Sequence, residues 1–131
     1  MNLLEITQEA INQFDMYRYP DLDDWKEQID KVLSELGECT IGNDKIEQLY
    51  LSNDSLEIRT SYSVRCCAQE NDMSIPLSVL EADNPIKKAR ETFLTKELAE
   101  AEYQVKLKKN DYERAINKLN EIKQQFEGET K

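Results

Sequence analysis

The residues able to do chemistry in this chain are charged ones, and none is a histidine. That removes Ser-His-Asp and Cys-His nucleophilic catalysis and every zinc site built on imidazole. The cysteines are Cys39, Cys66 and Cys67. An odd number with an adjacent pair is no disulfide framework, and three thiols do not make a four-cysteine metal site. Gly37, Gly42 and Gly128 stand apart from one another, so there is no glycine-rich phosphate loop. Carboxylates are plentiful, but none falls at an EF-hand spacing. The expectation is a protein that is not an enzyme and holds neither metal nor cofactor.

Two charged constellations remain. Residues 56–67 alternate, so Arg59, Ser61, Ser63 and Arg65 share one strand face. Two guanidinium groups and two hydroxyls there form a candidate anion-binding surface for a nucleotide-like ligand or a partner's carboxylates. The same alternation sends Leu56, Ile58, Thr60, Tyr62, Val64 and Cys66 to the other face, with Tyr62 expected in the core and Cys67 outward. The second constellation is Asp23, Asp24, Glu27 and Asp30, on one side of a helix with Glu35, diluted by Lys26 and Lys31. It reads as a solvated face or, more sharply, as a phosphate-mimicking strip for a nucleic-acid groove on a basic partner.

Charge supports the same split. The 131 residues carry a net charge of −10. Residues 1–56 hold 13 Asp and Glu against 4 Lys and Arg, whereas residues 57–131 hold 14 against 13. A negative field steers basic partners and disfavours direct contact with nucleic acid or anionic membrane. With no signal peptide and no apolar run near membrane-spanning length, the expected place is the cytoplasm, the host's if the protein is phage-encoded.

The elements that position these groups follow from local patterns. Leu3, Ile6, Ala10, Ile11 and Phe14 mark a helix over residues 2–15, ended before Pro20. Leu22, Trp25, Ile29, Val32, Leu33 and Leu36 mark a second over 22–36, opened by Asp21 and closed by Gly37. A loop over 38–45 leads to strands expected at 45–51, 56–67 and 73–77, with turns at 52–55 and 69–72. Pro76 confines the third strand to an edge or an end.

Residues 85–127 organise the rest. Asp83 and Asn84 are good caps, Pro85 suits the first helical position, and no proline or glycine follows until Gly128. A helix of 43 residues is roughly 65 Å long. Its apolar residues repeat as a heptad: Leu98, Ala101, Val105, Lys108, Tyr112, Ala115, Leu119, Ile122 and Phe126, interrupted only by Lys108. Small residues at 101 and 115 suit close antiparallel packing or a mixed bundle. Ile86, Ala89, Phe93 and Leu94 read as facing another surface, such as a small sheet.

The predicted fold is α+β: two N-terminal helices, a three-stranded antiparallel meander and one long C-terminal helix with coiled-coil character. The expected division is a small α+β part over residues 1–83 and an interaction arm over 84–131. The function expected is non-catalytic protein binding, with a homo-oligomer, a dimer first, built on the seam. Size and charge, without any family motif, are those of small acidic phage-encoded antagonists of nucleic-acid-handling host proteins. The alternatives are an assembly protein built only on the coiled coil, and a binder of an anionic nucleotide-like ligand.

Overall fold

A computed structural model describes residues 2–64 and 67–129. Its elements are α1 (Leu3–Met16), α2 (Asp23–Glu35), β1 (Lys45–Leu51), β2 (Ser55–Val64), β3 (Cys67–Pro76), α3 (Leu77–Leu80) and α4 (Pro85–Glu129). The architecture is α+β, with an antiparallel sheet in the order β1-β2-β3. The chain divides into two compact units, Met1–Phe93 and Leu94–Lys131.

The helix ends in the first unit form where their residues can satisfy orphan backbone groups. Asn2 Oδ1 accepts the Glu5 N–H at 2.9 Å and starts α1. Asp21 Oδ1 accepts the Asp23 N–H at 3.2 Å before α2. At the other end of α2, Gly37 takes φ +76°, the Glu38 N–H reaches Leu33 O and the Gly37 N–H reaches Ser34 O. This is a Schellman closure, which needs a residue at ease in the left-handed region. Asn84 Oδ1 accepts the Lys87 N–H at 3.2 Å and opens α4 directly before Pro85.

The core of this unit is a single apolar cluster. Leu3 and Ala10 of α1, Trp25, Ile29, Val32 and Leu33 of α2, Leu56 and Ile58 of β2, Met73 and Ile75 of β3, and Val79 and Leu80 of α3 are all buried in it. Ala89 joins from the first turns of α4. Phe93 lies over Gly37 so closely that a Cβ there would meet its ring at 2.8 Å. These contacts place residues 85–93 with the first unit. Two polar groups go into the same interior. The Trp25 indole N–H is donated to Thr7 Oγ1 at 3.1 Å, whereas Thr60 Oγ1 is buried with no partner among the described residues.

The sheet departs from the expected strands in three places. In β1 the register slips between Ile46 and Gln48, leaving Glu47 as a bulge. The extra residue lets both Ile46 and Leu49 face inward three positions apart. Second, residues 69–72 are not a turn. β3 starts at Cys67, and Gln69, Glu70, Asn71 and Asp72 pair with Tyr62, Ser61, Thr60 and Arg59. Pairing continues to Val64↔Cys67. Third, β1 pairs with β2 only as far as Lys45↔Ser61. Beyond it β2 and β3 form a two-stranded ribbon, on which Tyr62 and Val64 are exposed rather than in the core.

Candidate functional site

Three surfaces carry the residues that the sequence singles out. The first is the outer face of the sheet. Alternation places Glu57, Arg59 and Ser61 of β2 on it, with Asp72 and Ser74 of β3. Arg59 Nε donates to Asp72 Oδ1 at 2.8 Å, and that carboxylate holds the guanidinium above its ordinary pKa. Ser61 Oγ donates to Glu47 Oε1 at 2.7 Å, which the β1 bulge brings outward, and Ser74 Oγ donates to Glu57 Oε1 at 3.0 Å. Of the donors expected to receive an anion, Arg59 and Ser61 are thus turned toward the protein's own carboxylates. Arg65, the other half of the candidate anion site, and Cys66 lie outside the described residues. Cys67 is exposed, but its pairing with Val64 puts it on the face of Ile58 and Met73 and not on the Arg59 face expected for it.

The second surface is the acidic strip on α2, and its four residues do different things. Asp23 and Asp24 are exposed in the first turn, where carboxylates meet the positive end of the helix dipole. Together with Glu9 and Asp21 they line a cleft of about 410 Å³ between α1 and α2, floored by Ile6, Ala10, Leu22 and Trp25. Glu27 is exposed and stands 3.8 Å from Lys31. Asp30 is not available in the same way. Its Oδ1 accepts the Ile41 N–H at 2.7 Å and its Oδ2 accepts the Gly42 N–H at 3.0 Å. Asp30 clamps the loop between α2 and β1, so the strip left exposed is Asp23, Asp24 and Glu27. Glu35 is engaged as well, 4.0 Å from Arg90.

The third surface belongs to the second unit. Every described side chain from Leu94 to Gly128 is exposed. The seam residues Leu98, Ala101, Val105, Tyr112, Ala115, Leu119, Ile122 and Phe126 are among them, with Val105 at 67% and Phe126 at 66%. Leu94 belongs with this set and not with Phe93: it is 57% exposed and stands four residues before Leu98, in the heptad frame. A row of large apolar side chains on one stripe is what a coiled-coil seam presents before it is covered.

Two further features went unmarked in the sequence. Met16 at the end of α1 and Tyr17 and Tyr19 after it are strongly exposed, and the Arg18 guanidinium lies 5.4 Å from the Tyr19 ring centroid. The interruption of the helical stripe there could have signalled them. A groove of about 510 Å³ between α1, α2 and the start of α4 is lined by Leu3, Ile6, Val32 and Ile86. Of its polar groups, Asn2 and Asn84 are spent as helix caps. Among the described residues no group of three or more His, Cys, Asp or Glu is placed to hold a metal ion, and no helix is long and apolar enough to cross a membrane. Compared with protein-family models, curated proteins and solved structures, the chain matches none.

Proposed function

We propose that this is a non-catalytic protein-binding protein that self-associates through residues 94–126 and offers an acidic surface to a basic, nucleic-acid-handling partner. The observation that carries the reading is the exposed heptad row on α4. Leaving that many large apolar groups in water is costly. Burial returns about 25 cal/mol for each Å² of apolar surface removed from solvent. A partner helix of the same period covers the row most completely.

Charge favours the second half of the reading. Residues 1–93 hold 19 Asp and Glu against 9 Lys and Arg, whereas residues 94–131 hold 8 of each. The acidity therefore lies wholly in the unit that presents Asp23, Asp24 and Glu27, and the seam-bearing unit is neutral. A neutral seam associates with little dependence on salt, while docking on a basic protein weakens as salt rises.

Analytical ultracentrifugation of the full chain from low to high micromolar concentration tests the central claim. The expected result is a mass that climbs to a multiple of the monomer, nearly unchanged by added salt. A Leu98→Asp/Leu119→Asp variant is expected to stay monomeric with its Trp25 emission unaltered. A parent chain that remains monomeric across that range overturns the reading.

A further inference from the structure

We infer that the partner of the α4 seam is a second copy of the chain, running antiparallel, with its two-fold axis passing at the level of Asn110. This rests on the self-association proposed above and adds orientation and register.

The seam itself supplies the argument. In a parallel, in-register pair each residue faces its own copy. Ala101 would meet Ala101 and Ala115 would meet Ala115, leaving two thin layers. Lys108 would meet Lys108 inside the seam, two like charges with no partner. At the edges Glu97 would lie beside Glu102 of the other copy, and Lys118 beside Lys123. Every irregularity of the sequence is then a defect.

Reversing one helix about Asn110 removes these defects together. Leu94 then faces Phe126, Leu98 faces Ile122, Ala101 faces Leu119, and Val105 faces Ala115. Each alanine is filled by a larger residue, so large and small alternate across the seam as close packing requires. Lys108 faces Tyr112 of the other copy. Its aliphatic stem lies along the ring, and its ammonium stands beside Asp111 of that copy, at the seam's edge. The two-fold axis makes this exchange twice. Glu97 and Glu102 of one copy fall in the stretch faced by Lys118 and Lys123 of the other, so unlike charges replace like ones. The remaining like contacts are Lys109 with its own copy on one edge, offset by Glu113 four residues along the same helix, and Asp111 with its own copy on the other, offset by Lys108 of the other copy. The interruption at Lys108 is therefore a register mark. Only a partner that brings an aromatic ring and a carboxylate to its level accommodates it.

Electron–electron distance measurements test this on the full chain. Cys39, Cys66 and Cys67 are replaced by serine, and a spin label is placed at Lys96→Cys or at Asn110→Cys, both on the outer side of the helix. The antiparallel pair separates the labels at 96 by about 42 Å along the axis, at 1.5 Å per residue. The labels at 110 stand roughly 20 Å apart, about two helix diameters. Short distances at both sites mean a parallel pair and overturn this inference while leaving self-association standing. A long distance at 110 overturns the register. No distance at either site overturns self-association as well. A charge reversal needs no cysteine replacement. Lys108→Glu alone is expected to weaken association by about tenfold or more, and adding Asp111→Lys to restore it. A parallel pair, with position 108 facing itself, gains nothing from the second change. Failure of the rescue counts against the antiparallel register.

Discussion

Asp30→Ala should unfold the first unit far more readily than any other change in the acidic strip. The carboxylate accepts two backbone N–H groups, from Ile41 at 2.7 Å and Gly42 at 3.0 Å. Ile41 is buried and Gly42 exposed, so the two bonds are unequal. Water can replace the carboxylate at Gly42 at small cost. It cannot easily reach the N–H of Ile41, where a hydrogen bond to a charged group is worth about 1.5–3 kcal/mol. The expected loss is therefore about 2–3 kcal/mol. In a unit of this size each kcal/mol lowers the melting temperature by roughly 4–8 °C. Asp30→Asn keeps one acceptor oxygen and should lose about half as much. Asp23→Asn and Asp24→Asn give up only an exposed interaction with the helix dipole, at most about 1 kcal/mol each. The assay is urea unfolding followed by emission from Trp25, the only tryptophan and part of the buried core. The midpoint should fall with the slope unchanged. An Asp30→Ala midpoint equal to that of the parent, or to that of Asp23→Asn, refutes the argument that Asp30 is a structural clamp.

Thr60→Val should stabilise the fold by about 1 kcal/mol, because it replaces a buried hydroxyl that has no partner among the described residues with a methyl of similar shape. A destabilised variant in the same unfolding assay means that the hydroxyl is bonded. Gly37→Ala should destabilise by about 1–2 kcal/mol, since alanine pays for the left-handed backbone and its Cβ must displace the Phe93 ring. The effect should shrink in a Phe93→Leu background, and equal losses in both backgrounds would assign the whole cost to the backbone.

Much of the fold is legible in the sequence because it is specified locally. Asn84 and Pro85 open α4, Gly37 closes α2, and the apolar stripe through Trp25, Ile29 and Leu33 orients its helix without reference to anything distant. What escapes is whatever depends on a neighbour remote in sequence. Residues 69–72 look like a turn because they are polar. They can be polar within a strand because β3 is an edge strand and leaves them in water: Gln69, Glu70 and Asp72 are exposed and Asn71 is half-buried. Glu47 hides the inward pairing of Ile46 and Leu49, since a bulge breaks the two-residue period by which strands are recognised. Asp30 looks like its neighbours on the helix surface; only the loop that returns 11 residues later distinguishes it. Arg59 likewise reads as an open cation until β3 brings Asp72 beside it.

The margins of the sheet bear on how the chain avoids aggregation when it is concentrated. A three-stranded sheet has two outer strands whose backbone groups could template a stranger's chain. Here one margin is kinked at Glu47 and begins with Lys45, and the other carries Glu70 and Asp72 and ends at Pro76, which has no N–H to give. Charge, kink and proline each discourage strand addition. Fibril-like stacking through the sheet is thereby disfavoured.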